Sequence, residues 1–358
     1  MSKINIGMIG AGSISEFHLN AYKGNPHANI YAVCDLNRER AEGRAKTYGA
    51  EKVYTDYREP LADPDVHAVS VCTWNNTHAE ISIAALEAGK HVLVEKPPCK
   101  TVEEALQMED AVRRTGNVLQ IGFVRRFATN TEVAKTFIDN GDLGEIYYAK
   151  ASCLRRLGNP GGWFADIERS GGGPLIDLGV HMIDLCWYLM GKPKVKTVKG
   201  SAYRKLGNRA NIKHLTYYRA ADFDPNLNTV EDLATAMITF VNGATLVADA
   251  SFTLHAKKSE ISVRLYGDKG GVEVEPELLF VGEKYDTILN VIPEIDRRSF
   301  DFEKAFQREI DHFIECVRTG KKPISSVEDG VEIMKMLCAV YESSEKGTEI
   351  VFDRSILT

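Results

Sequence analysis

The stretch INIGMIGAGSIS, residues 4–15, decides the fold. Its apolar part, 4–10, reads as a short buried strand, and residues 13–25 have helical periodicity. Between them lie Gly10, Gly12, Ser13 and Ile14, a GxGxxG turn with Ser15 at the third glycine. The first glycine permits a tight turn, and the second lets the backbone approach a pyrophosphate at a helix N-terminus. The third mainly permits close packing of helix on strand, and serine is nearly as small. An isolated GxG is weak, but here the strand before it and the helix after it supply the required context.

Working outward, NIYAVCD (29–35) reads as the second strand, and Asp35 ends it 20 residues after Ser15. A carboxylate at that place hydrogen-bonds the ribose hydroxyls of a dinucleotide, and it would repel a 2′-phosphate. NAD is therefore expected over NADP, with Leu36 beside Asp35 among the cofactor contacts. Arg38 and Arg40 lie close enough to weaken that preference. The plain alternative is a tight turn with a solvated aspartate after it.

The rhythm continues with a helix at 37–49, a strand at 66–73, a helix at 77–90 and a strand at 91–96. A helix at 101–116 follows, opened by a capping box of Thr101 and Glu104, and then a strand at 117–123. Such alternation means βαβ units and a parallel sheet. Near residue 125 the pattern changes. After a helix around 130–140 come strand-like runs at 145–156, 195–205, 232–240, 244–254 and 260–267, several alternating apolar and polar residues. This predicts an α+β domain on an open, mostly antiparallel sheet. Two helical patterns close the chain. The first, 302–320, puts Phe302, Phe306, Ile310, Phe313 and Val317 on one face. The second is read as opened by a Ser325–Glu328 capping box and ending near Gly347. The expected domains are 1–124 and 125–358, with the C-terminal helices able to pack back on the first.

The totals bound the function. The 358 residues suit two domains, and 44% hydrophobic with 26% charged is an ordinary globular mix. A net charge of −6 gives no reason to expect a nucleic-acid or anionic-membrane surface. The seven cysteines form no CxxC pair or zinc-like spacing, so no metal is expected. Their odd, scattered count fits reduced thiols in a cytoplasm. No apolar run reaches the roughly 18 residues of a membrane span, and the N-terminus lacks a signal-peptide pattern.

Three places carry chemistry. The strand 91–96 ends in Glu95 and Lys96, and Pro97 and Pro98 then fix the chain. In a parallel sheet that end lies on the ligand-binding edge, so Lys96 points to the cofactor crevice; the alternative is a solvated loop charge. Pro97 is a candidate for a cis peptide. The preceding strand ends in CTWNNTH (72–78), where Thr73, Asn75, Asn76 and His78 offer polar groups to a ribose or phosphate. Trp74 is expected to pack beside the cofactor; the alternative for the cluster is turn and N-cap chemistry. The third place is ERSGGGPLIDLGVHMIDLCWYL (168–189), whose helix carries Asp177 and His181 at i,i+4, with Asp184 three residues on. The alternative is a structural Asp–His pair or a satisfied core histidine, and two such residues are too few for a metal site. Alcohol oxidation needs a base for the hydroxyl proton while hydride leaves for nicotinamide. A histidine can be that base, an ammonium can stabilise the alkoxide, and a carboxylate can orient either partner.

With these residues the chain resembles the Gfo/Idh/MocA family, named for glucose–fructose oxidoreductase and inositol dehydrogenase. The shared marks are GMIGAGSIS, Asp35, TWNNTHAEISIAALEAGKHVLVEKP, GFVRRF (122–127), GGGPLIDLGVHMIDL and the VED of 230–232. The resemblance implies a Rossmann domain, a second domain on a large open sheet, and dimers or tetramers formed through that sheet. It places the family's catalytic lysine on Lys96, and its Asp and His on Asp177 and His181. Trp74 departs from the proline of many members. Arg125 could reach the cofactor, Arg126 the substrate, and Trp163 beside Phe164 could wall a sugar face. The expectation is an NAD-dependent dehydrogenase for a secondary hydroxyl of a cyclitol, sugar or sugar derivative. His181 would be the base and Lys96 the alkoxide stabiliser, roles the two could exchange. The alternatives are a redox-neutral glycosidase or lyase using the same residues, and a non-catalytic NAD sensor.

Overall fold

The computed structural model describes residues 3–214, 216–220 and 222–352. In chain order the elements begin β1 (Ile4–Ile9), α1 (Ser13–Gly24), β2 (Ala28–Cys34), α2 (Arg38–Tyr48), β3 (Lys52–Tyr54) and α3 (Arg58–Ala62). Next come β4 (Ala68–Val71), α4 (Asn75–Glu87), β5 (His91–Glu95), α5 (Val102–Thr115), β6 (Leu119–Gly122) and α6 (Thr129–Asp139). Then follow β7 (Ile146–Leu154), α7 (Ile167–Ser170), a π-helical turn (Leu175–Gly179), α8 (Val180–Leu189), β8 (Val195–Tyr203), β9 (Leu233–Phe240) and β10 (Thr245–Ser251). The last are β11 (Glu260–Gly267), β12 (Gly270–Glu275), β13 (Leu279–Lys284), β14 (Thr287–Val291), α9 (Phe302–Thr319), α10 (Val327–Lys346) and β15 (Ile350–Val351).

The chain forms two compact units. One takes residues up to Phe127 together with Phe302–Val331; the other takes Ala128–Asp301 together with residues from Glu332 on. The division therefore cuts the sequence more than once.

In the first unit six strands pair in the order β3-β2-β1-β4-β5-β6, and every pairing is parallel. This is the doubly wound order whose carboxyl ends carry ligands. The central strands are buried on both faces, which is why they read as unbroken apolar runs. Helix α9 closes the unit against α1. Phe17 meets Phe302 edge-on at 4.7 Å and stacks on Phe306 at 5.4 Å. Ile310, Phe313 and Ile314 join a cluster with Ile6, Met8, Leu19, Tyr22 and Leu93. Burying each such side chain contributes roughly 1.5–3 kcal/mol.

In the second unit nine strands pair in the order β14-β13-β12-β11-β7-β10-β9-β8-β15. Only β7 and β10 run parallel; the other pairs are antiparallel. Along β7, Ala149, Ala151 and Cys153 are buried, and α8 packs across β7, β10 and β11. Residues 332–346 of α10 cover β8. Gly200 and Ala202 donate their N–H groups to Ser343 and Ser344, each at 2.9 Å.

Two local readings are corrected. The Thr101–Glu104 capping box forms, but the one at Ser325 does not. Ser325 donates its hydroxyl to the Ile121 carbonyl at 2.8 Å, and the helix begins at Val327. Glu328 accepts from Lys322 at 2.8 Å. Also, Asp177 and His181 do not share one regular α-helix, because Asp177 lies in the π turn and His181 in α8.

Candidate active site

The glycine turn comes first because backbone sterics dictate it. Gly10 has φ +93, and a Cβ there would strike the Cys72 carbonyl, so no side chain is tolerated. Gly12 is the N-cap of α1, and no side chain caps the helix. Nothing stands within 4 Å of where a Gly12 Cβ would be. The first-turn N–H groups at Ser13 and Ile14 thus begin a helix whose N-terminus has room for an anion. Asp35 follows β2 and is aimed by backbone: Oδ2 accepts from Ala11 N–H and Oδ1 from Asn37 N–H, both at 2.8 Å. Arg40 stands 3.7 Å from Oδ2, while Arg38 is tied to Glu42 at 2.8 Å. Leu36 is 84% exposed beside this carboxylate. Turn, open space and acid fit a dinucleotide.

At the end of β4, Thr73 accepts the Thr77 hydroxyl at 2.8 Å. Trp74 is the N-cap residue of α4, 39% exposed, and Asn75 is buried. His78, expected among the cofactor contacts, is turned inward. Its Nδ1 meets the Pro97 carbonyl at 2.7 Å and its Nε2 the Thr73 carbonyl at 3.1 Å. Burial pushes its pKa down against these two carbonyls. A neutral ring has one N–H to give, and the shorter contact assigns it to Nδ1. Through Nδ1, His78 therefore fastens the loop after β5 to the first turns of α4.

Beyond β5, the Lys96–Pro97 peptide is cis. Lys96 is half-buried, and its N–H donates to Glu95 Oε2 at 3.1 Å. The Glu95 carboxylate is itself buried, with Oε1 2.8 Å from His18 Nε2. His18 Nδ1 lies 3.4 Å from Ser70 Oγ, which pairs with Tyr22 Oη at 2.7 Å. Burial pushes Glu95 up, yet the His18 hydrogen bond and the nearby positive groups outweigh it and hold the carboxyl below its usual range. Glu95 is thus a support behind Lys96. His18 was not singled out from sequence. Its spacing with Ser15, Leu19 and Tyr22 marks the buried face of α1 and was the available signal.

The two arginines after β6 part company. Arg125 is half-buried in a 3₁₀ turn. Arg126, expected to touch substrate, has a fully buried side chain. It donates to Asp329 at 2.5 Å and to the Ile324 carbonyl at 2.6 Å, and lies over the Phe123 ring. A guanidinium taken out of water needs such partners.

In the second unit, Asp177 and His181 are half-buried while Ile176, Leu178, Val180 and Met182 are buried. The Asp177 N–H donates to the Gly173 carbonyl at 3.0 Å. The π turn is closed by the Val180 N–H on the Leu175 carbonyl; such turns recur at functional sites. Trp163 stacks on Phe164 at 3.9 Å. The first unit therefore gathers the glycine turn, Asp35, the Thr73 loop and Lys96 at strand ends of one sheet. The second gathers Asp177 and His181 along one turn. Among the described residues no cluster of His, Cys, Asp or Glu could hold a metal.

Residues 4–123 match the NAD-binding Rossmann fold of an oxidoreductase family, and residues 135–352 match that family's C-terminal alpha/beta domain. The chain is 34% identical to D-glucoside 3-dehydrogenase of Escherichia coli (strain K12), covering 98% of this chain and 97% of that protein. It is 30% identical to scyllo-inositol 2-dehydrogenase (NAD(+)) of Bacillus subtilis (strain 168), covering 98% and 97%. Among solved structures, levoglucosan dehydrogenase in complex with NADH and levoglucosan aligns at a TM-score of 0.85 and 25% identity, covering 98% and 99%.

Proposed function

We infer the activity from one premise: this chain belongs to the Gfo/Idh/MocA oxidoreductase family. It is an NAD-dependent dehydrogenase that oxidises a secondary hydroxyl of a sugar, cyclitol or sugar derivative. The observation that carries the reading is the Gly12 opening at the α1 N-terminus, with Asp35 bonded to Ala11, on the sheet edge that ends in Lys96. Its relatives are dehydrogenases of glucosides and inositols, which does not favour the redox-neutral or sensor alternatives.

In this reading the first-turn N–H groups after Gly12 hold the pyrophosphate, and Asp35 holds the adenosine ribose hydroxyls. Leu36, Thr73, Trp74, Asn75 and Arg125 border the cofactor. When bound, NAD supplies the hydride acceptor. His181 takes the substrate hydroxyl proton, Lys96 stabilises the developing alkoxide, and Asp177 orients the imidazole or a neighbouring hydroxyl. Trp163 offers an aromatic face to the sugar's C–H groups. We also assign the enzyme to the cytoplasm, since an odd, scattered set of seven cysteines suits reduced thiols, and to dimers or tetramers formed through the nine-stranded sheet. No described helix is long and apolar enough to cross a membrane.

The test is NADH formation with NAD, then NADP, over glucosides, inositols and anhydrosugars. Lys96→Met should abolish turnover and leave NAD binding intact. Normal turnover in that variant, or loss of NAD binding with it, overturns the role given to Lys96.

A further inference from the structure

The GGGPLID segment raises a question that its resemblance to relatives does not answer: why do consecutive glycines precede Asp177? Space gives the reason. A Cβ on Gly172 would strike the Tyr341 hydroxyl, and one on Gly173 would lie 2.5 Å from the Glu231 carbonyl oxygen. The chain is bare here because Glu231 and Tyr341 fill the room. Glu231 is 1% exposed. Its Oε2 accepts the Gly173 N–H at 2.8 Å, and its Oε1 accepts the Leu175 N–H at 3.2 Å and the Tyr341 hydroxyl at 2.8 Å. Burial first, then the charge of Glu231, pushes the Tyr341 phenol well up, so it stays a donor.

The carboxylate does what a local N-cap side chain would do. The helix start has only Pro174 at its N-cap and no side-chain cap of its own. A negative charge there also suits the helix dipole. The link to the site is one residue long. Glu231 holds the N–H of Gly173, and the carbonyl of Gly173 receives the N–H of Asp177. His181 follows four residues later, just past the π turn.

We propose that Glu231, with Tyr341 behind it, is a positioning residue for the reaction: it fixes the glycine turn that aims Asp177 and His181. This rests on the dehydrogenase reading. Glu231→Gln keeps one acceptor oxygen and loses the other. Glu231→Ala loses both, and Tyr341→Phe loses only the hydroxyl. Misplacing a reacting group by about 1 Å can cost roughly 100-fold. The expectation is a kcat loss of that order in Glu231→Ala, partial rescue in Glu231→Gln, and unchanged NAD affinity and sugar KM. Amide hydrogen exchange should quicken across 172–181 in the same variants and remain as in wild type in the glycine turn at 10–14. Unchanged exchange at 172–181 overturns the proposal, as does a wild-type kcat in Glu231→Ala. A kcat loss that merely tracks the unfolded fraction in thermal melts overturns it too. If the wild-type enzyme forms no NADH with any sugar, the dehydrogenase reading fails, and exchange alone decides whether Glu231 holds the turn.

Discussion

A buried acid and a buried imidazole meet behind Lys96, and their chemistry makes a pH prediction. Glu95 in the folded protein is held below the ordinary carboxyl value of 4.5 despite its burial, because His18 and Lys96 favour its charge. A lowered folded pKa stabilises the native state above the unfolded value, and this is lost as pH falls through the folded one. Wild type should therefore melt above Glu95→Gln at pH 7, and the gap should narrow below about pH 4. A pH-independent gap in calorimetry would rule out this account. That Asp35 and Lys96 follow strand ends was legible from sequence, since apolar runs mark β2 and β5. The fate of His78 and Arg126 was not legible. Polar groups one loop away from a crevice can face in or out, and only the carbonyls and carboxylate they meet decide it.

At the scale of elements, the two glycines of the first turn do different work, and single alanines should separate them. At Gly10, an alanine must adopt φ +93 against the Cys72 carbonyl. Strain of that kind costs about 1–3 kcal/mol before the clash is counted. Gly10→Ala should lower the thermal midpoint and NAD affinity together. Gly12→Ala meets no protein atom within 4 Å, so it should keep the wild-type midpoint while filling the approach for a phosphate. Titration calorimetry with NAD should show about tenfold or greater weakening there, about 1.4 kcal/mol. Wild-type affinity in Gly12→Ala would remove the pyrophosphate from that turn. Most long elements could be read from periodicity. The three residues of β3 are too few to show a period. All five residues of β14 are exposed, so no apolar alternation marks it. The π turn was invisible because Asp177 and His181 keep α-like spacing across it.

For the whole molecule, the informative feature is that the first unit is assembled from segments far apart in the chain. Sequence periodicity placed α9, exposed its apolar face and allowed it to pack back on the first domain, but could not say which residues it meets there. Phe306, Ile310 and Phe313 bury that face in the first unit. Arg126 and Asp329, 203 residues apart, add a buried ion pair to the same junction. Its side chains are 0% and 9% exposed, so solvent screens it little. Removing one partner of such a pair typically costs about 3–5 kcal/mol, whereas replacing both by apolar groups of similar volume is often close to neutral. Asp329→Ala should therefore lose stability of that size in urea unfolding. The double variant Arg126→Met with Asp329→Leu should recover most of it, with the sugar KM unchanged. A stable Asp329→Ala enzyme with a raised sugar KM would instead return Arg126 to the substrate site, where the sequence alone had placed it.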